Sequence, residues 1–188
     1  MRRSLILAAA LLCATPAAAT PAEDFSRLLA DHYDWLLRTY PTTATALGVH
    51  DYDDRIEDLS MAAGDRYATE AEALLKRLEA IPADQLNAAD RTNHAILKRS
   101  LSEAVEGNRY PQRMMLFTTY YGWHQGFAGL ADNLPFHGKA DYDSYLTRLS
   151  LYPQQNDQAL AVTDEAVKGG YVLPCSVLTG YDKTISGV

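Results

Sequence analysis

Tyr40-Pro41-Thr42-Thr43-Ala44-Thr45-Ala46-Leu47-Gly48-Val49-His50-Asp51-Tyr52-Asp53-Asp54-Arg55 and its continuation Ile56-Glu57-Asp58-Leu59-Ser60 divide one helical pattern from the next. Pro41 stops the preceding helix, because proline lacks the N–H and its ring clashes with the turn before it. One short helical turn follows and is closed by Gly48, which can take the left-handed conformation a helix C-cap prefers. An acidic loop carrying His50 and Arg55 then leads to Ser60, a residue suited to opening the next helix.

Outward from this stretch the apolar positions keep helical spacing. Over 20–39 the stripe is Phe25, Leu28, Leu29, Leu36 and Leu37, and Thr20, Pro21 and Glu23 supply an N-cap, a first-turn proline and the acid of a capping box. From Ser60 the stripe is Tyr67, Ala71, Leu74, Leu75 and Leu78, closed by Ile81-Pro82. Asn87 caps a third helix with Ile96, Leu97, Leu101, Ala104 and Val105 on one side, ended by Gly107-Asn108. A fourth is expected over 114–131 despite Gly122, Gly126 and Gly129. Asp141 starts a fifth, with Tyr142, Tyr145, Leu146 and Leu149 inward, Pro153 begins a sixth that runs to Gly169-Gly170, and Pro174 opens a last one carrying Val177, Leu178 and Tyr181. No alternating strand pattern or fixed-period repeat occurs. The expected fold is all-α, built from antiparallel helix pairs joined by short loops.

The chain's start reads as a secretory leader. Met1-Arg2-Arg3-Ser4 precedes an apolar run from Leu5 to Cys13 and a small-x-small cleavage signal at Ala17-x-Ala19, so 1–19 is a signal peptide and 20–188 a single helical domain. A twin-arginine route and a lipid anchor on Cys13 fit less well, the latter because Leu12 is bulky for such processing. The expected location is the periplasm or outside the cell. Removing Arg2 and Arg3 takes the formal charge from -7 to -9, which argues against nucleic acid or anionic membrane as a partner. Cys175 is then the sole cysteine, so no internal disulfide forms. No later apolar run is long enough to cross a bilayer.

A zincin needs two histidines one helical turn apart with a glutamate beside the first. His32, His50, His94, His124 and His137 contain no such pair, so neither a catalytic residue nor a metal ligand is assigned, and each reads as a polar tip at the edge of helix packing. The carboxylates of Asp51, Asp53, Asp54, Glu57 and Asp58 miss the calcium-loop template, with Ile56 where it needs glycine and Ala62 where it needs glutamate. They read as helix caps and partners of Arg55. The substrate-binding candidates are His50, Tyr52 and Arg55 in that loop, with Tyr121 and Trp123 from an aromatic belt over 110–136 that could stack a peptide or sugar. Cys175 has no histidine base near it in sequence and reads as a plain thiol.

The 40–60 stretch, Asp84-Gln85-Leu86-Asn87 with Asp90, Tyr121-Gly122, Leu134-Pro135-Phe136, the block Asp141-Tyr142-Asp143-Ser144-Tyr145-Leu146-Thr147-Arg148-Leu149 and Gly169-Gly170-Tyr171-Val172-Leu173-Pro174 come in one order. In that order and spacing the chain resembles the N-terminal part of the domain of unknown function 885 family, secreted bacterial proteins similar to zinc metallopeptidases. Cys175 departs from the basic residue the family carries after the proline, and Asp164-Glu165 stand where an arginine is expected. The resemblance implies a peptide-like substrate and a zinc site on an H-E-x-x-H helix, but that helix belongs to a C-terminal half with no matching position here. No zinc or other cofactor is therefore expected in this chain. The resulting expectation is a truncated, hydrolase-family segment that is inactive alone. Its alternatives are a stand-alone periplasmic module binding peptide or glycan, and a non-catalytic partner of a separately encoded catalytic half.

Overall fold

A computed structural model describes residues 19–118 and 121–186, the side chains of 133, 185 and 186 excepted. The leader expected over 1–19 thus lies, but for Ala19, outside the described residues, as does Tyr120 of the aromatic belt. The fold is all-α, and an isolated antiparallel bridge between Phe117 and Gly122 is the only β pairing among the described residues.

Three long helices form the core. Helix α1 (Pro21–Thr39) opens on the expected capping box, in which Thr20 Oγ1 accepts the Glu23 N–H and the Glu23 carboxylate accepts the Thr20 N–H at 2.7 Å. Pro41 starts the short α2 (Pro41–Ala46), and Gly48, at φ +81°, closes it in a Schellman motif: its N–H bonds Thr45 O and the Val49 N–H bonds Ala44 O, both at 2.9 Å. Helix α3 (Met61–Glu79) begins at the Ser60 cap, and α4 (Ala88–Gly107) at the Asn87 cap. Contacts of Trp35 with Glu70 and Asp31 with Arg77 run α1 and α3 antiparallel. Those of Glu79 with Lys98 and Asp65 with Asn108 do the same for α3 and α4. Between them Phe25, Leu28, Trp35, Ala71, Leu74, Leu78, Leu97 and Leu101 are buried, capped by Ile81 and Leu86 from the α3–α4 loop. Burial of such side chains stabilises by roughly 1.5–3 kcal/mol each, and this is what orders the helices.

His94 corrects the reading of histidines as edge groups. It is buried on α4, its Nε2 3.1 Å from Leu78 O and its ring tilted against Phe25. Ile96, expected inward, is instead exposed, because Leu97 and Leu101 already fill that side.

The C-terminal half departs further from expectation. The helix expected over 114–131 is broken into a 3-10 turn (Pro111–Met114), α5 (Trp123–Ala128) and a second 3-10 turn (Leu130–Asn133). Gly122 supplies an extended N-cap and Gly129 a C-cap, so these glycines break the helix, and Gly122 also admits a close approach, since a Cβ there would meet the Tyr181 hydroxyl at 2.8 Å. The pair of helices expected either side of Pro153 is one helix, α6 (Lys139–Lys168), with the proline inside it. Its inward face is Arg148, Gln155, Ala159, Val162 and Ala166, whereas the expected inward residues Tyr142, Leu146 and Leu149 are exposed. The last expected helix is two single turns, α7 (Cys175–Leu178) and α8 (Lys183–Ser186), parted by Gly180 at φ +79°. No described helix is long and apolar enough to cross a membrane.

Candidate functional site

The acidic stretch is held from α6. Arg148 is fully buried, and its Nε donates to Arg55 O at 2.8 Å while Nη2 donates to Thr45 Oγ1 (2.6 Å), Tyr52 O (2.9 Å) and Pro41 O (3.2 Å). Its Nη1 has no hydrogen-bond partner among the described residues. Asp53, also buried, lies 3.8 Å away, accepts the Thr45 hydroxyl and meets His50 Nδ1 at 2.9 Å. Burial pulls the guanidinium below its ordinary value, and Asp53, Glu57 and Asp54 work against that. A buried cation is tolerated because oxygen acceptors replace its water.

Beyond Arg55 the chain forms a strap, residues 55–59, without helical structure. Gln155 Nε2 donates to Glu57 O at 2.8 Å, and the Leu59 N–H donates to Gln158 Oε1 at 3.0 Å. The Glu57 carboxylate accepts the N–H of Thr42 at 3.0 Å and its hydroxyl, serving as the cap that Tyr40 does not provide to α2. Asp58 accepts the Ser60 N–H at 3.0 Å and the Arg66 guanidinium at 2.7 Å. Its partial burial pushes its carboxyl up, but these donors outweigh that and hold it below the usual value.

On the side of the strap away from α6 opens a groove of about 480 Å³, within the range of roughly 300–1,000 Å³ common for ligand sites. Trp35, Arg38 and Tyr40 form one wall, Arg66, Tyr67 and Glu70 the other, and Ile56, Glu57, Asp58 and Leu59 the rim. Trp35 is buried, its Nε1 donating to Glu70 at 2.6 Å and its face covered by Tyr67 at 4.7 Å between ring centroids. Tyr40 meets Tyr67 edge-on at 6.0 Å. Burial, with Tyr67 beside it, pushes the Tyr40 hydroxyl far above its ordinary value. A smaller hollow of about 230 Å³ lies across the strap, between Ile56, Leu59, Trp123, Phe127 and Leu130.

The five residues proposed from sequence are not brought together. His50 and Arg55 are exposed, Arg55 resting 5.4 Å over the Tyr52 ring, and none of the three lines the groove. Trp123 lines the smaller hollow and donates to Asn156 Oδ1 at 3.0 Å. Tyr121 is 61% exposed and lines neither hollow. The sequence reading did not single out Trp35 or Tyr40, took Tyr67 as part of the buried stripe of its helix, and passed over Arg148, which lies in the Asp141 to Leu149 block without any local partner.

The zinc implied by the resemblance would need free donor side chains, and most of the histidines are already engaged. His50 is paired with Asp53, His94 with a backbone carbonyl and His124 with Thr184 Oγ1, while His32 lies against Trp35. Among the described residues no three His, Cys, Asp or Glu side chains converge on one point, so the donor set does not fit the metal.

Residues 41–188 match the family described as "Bacterial protein of unknown function (DUF885)". The chain belongs to that family. The DUF885 match takes in the Pro41 corner, the strap, α3 and the Arg148 hub, whereas Trp35, Arg38 and Tyr40, one wall of the groove, precede it. A search of curated proteins finds no match.

Proposed function

We propose that this chain is the exported, non-catalytic helical portion of a metallopeptidase-like hydrolase, and that its groove receives a peptide. Export rests on the leader read over 1–19, and catalysis on a zinc-bearing C-terminal half that this chain would accompany as a covalent or separate partner. The observation that carries the peptide reading is the groove wall itself. Trp35 is covered by Tyr67, so the wall offers ring edges, a tyrosine hydroxyl and charged tips rather than an open ring face on which a sugar would stack. Edges of this kind suit an aliphatic or aromatic side chain, with the neighbouring backbone left for polar contacts.

The test uses tryptophan emission. The chain has two tryptophans, and a Trp123→Phe variant leaves Trp35 as the reporter. A tryptic casein digest should change that emission saturably and chitotetraose should not, while the purified chain shows neither tightly bound zinc nor hydrolysis of the digest. Response to the sugar alone, or stoichiometric zinc with turnover, would overturn the proposal.

A further inference from the structure

The strap lines the groove and leaves part of its backbone unpaired among the described residues. Bonds from α6 fall on Arg55 O, Glu57 O and Leu59 N, alternate residues, which is the parity of an extended segment whose odd members point to one side. The N–H and C=O groups of Ile56 and Asp58 consequently point to the other side, and they have no backbone or side-chain partner among the described residues. No α6 residue lines the groove, whose walls come from α1 and α3, while across the strap Ile56 and Asp58 also border a hollow of about 270 Å³ with Leu151, Gln154, Gln155 and Gln158 of α6.

From this geometry we propose that the strap binds a peptide by strand addition, with Ile56 and Asp58 exchanging backbone hydrogen bonds with two alternate residues of an extended ligand. The proposal rests on the peptide reading of the groove and specifies how the peptide is held. An exposed strand edge is a ready template for pairing, and its main-chain bonds supply affinity while a side pocket supplies preference. Here the pocket is the space beside Tyr40 and Tyr67, which takes an apolar side chain. Arg38 stands at the groove wall with no acidic partner among the described residues, so its charge complements a carboxylate on the ligand, including a free C-terminus. A glycan does not reproduce this pairing, because its amides, where it has any, are pendant acetamido groups rather than main-chain N–H and C=O groups in strand alternation.

The test titrates the ¹⁵N-labelled full chain with acetyl-Ala-Ala-Phe-Ala-Ala and with versions N-methylated at one amide each. N-methylation at alternate amides should weaken binding about tenfold, the cost of a lost hydrogen bond, and elsewhere less than about twofold. The Ile56 and Asp58 amide resonances should move and gain protection from exchange. Ile56→Pro, which removes one strap donor, should lower affinity comparably, and the methylated series on the unaltered chain decides the matter if that variant does not fold. Peptide binding without alternation, or without movement of those two amides, overturns strand addition and leaves the peptide reading standing. No binding by any of these peptides, together with no response to the casein digest, overturns both.

Discussion

Arg148 donates to the hydroxyl of Thr45 at 2.6 Å across 103 residues of sequence. Through the same side chain α6 also grips the carbonyls of Pro41, Tyr52 and Arg55, so one guanidinium fixes the corner after α1, the acidic loop and the start of the strap. The groove depends on that hub, because the strap forms its rim.

Arg148→Leu should therefore cost about 3–5 kcal/mol, since it leaves Asp53 buried without its cation and strands several carbonyls. Arg148→Lys should recover part of the loss, because one ammonium cannot reproduce the fork that serves Arg55 and Thr45 together. Urea unfolding followed by circular dichroism measures both. An Arg148→Leu midpoint equal to that of the unaltered chain would show that the hub contributes packing and nothing more.

The hub also marks where the sequence stopped being readable. Caps at Thr20, Ser60 and Asn87 and the break at Pro41 are local, made by residues three or four apart, and they appear where the spelling places them. Arg148 finds its acceptors only after α6 has been laid over the corner, and no spacing rule encodes a partner so distant. The same tertiary contacts carry α6 through Pro153: Arg148 before it and Gln155, Ala159 and Val162 after it are all buried, outweighing the proline's local cost of about 3 kcal/mol. In the aromatic belt the opposite happened, and glycines at 122 and 129 ended a helix that ring spacing alone suggested. For the site, charge and aromaticity pointed to the loop that leads into the strap and to Trp123, whereas the groove walls come from α1 and α3, which only the packed helices bring to that loop.

Acid should loosen the strap through Asp58. Its carboxyl lies below the usual aspartate value of 3.8 because the Ser60 and Arg66 donors outweigh burial. A lowered folded value means that the unfolded chain binds the proton first, so the contribution is complete above that usual value and is lost as pH falls through the folded one. The stability gap between the unaltered chain and Asp58→Asn, measured by urea unfolding, should be constant near neutrality and close on acidification below pH 3.8. A gap that does not change with pH would rule out the charged form as the stabilising one.

Tyr40 gives the complementary alkaline signature. Burial, with the adjacent Tyr67, raises its hydroxyl above the usual 10.0, so the neutral form is favoured by folding. Stability from this group is fully present below pH 10.0 and falls as pH rises through the folded value. Ultraviolet titration should show a late-ionising group of tyrosines, with Tyr110 and Tyr181 also raised, and Tyr40→Phe should lower its amplitude. An unchanged late amplitude in the variant would assign the late ionisation to the other tyrosines.

Two glycines separate backbone conformation from steric room. A Cβ added at Gly48 or at Gly126 meets nothing within 4 Å, so neither substitution is opposed by packing. Gly48 sits at φ +81°, closing α2 just before the loop that Arg148 grips, where an L side chain costs about 1–2 kcal/mol. Gly126 lies inside α5 without a positive φ, where alanine should gain about 0.5–1 kcal/mol by removing unfolded-state freedom. Gly48→Ala should thus lower and Gly126→Ala raise the unfolding midpoint. Shifts of the same sign would mean that the Schellman closure of α2 is not what holds the corner, and that the acidic loop takes its position from Arg148 alone.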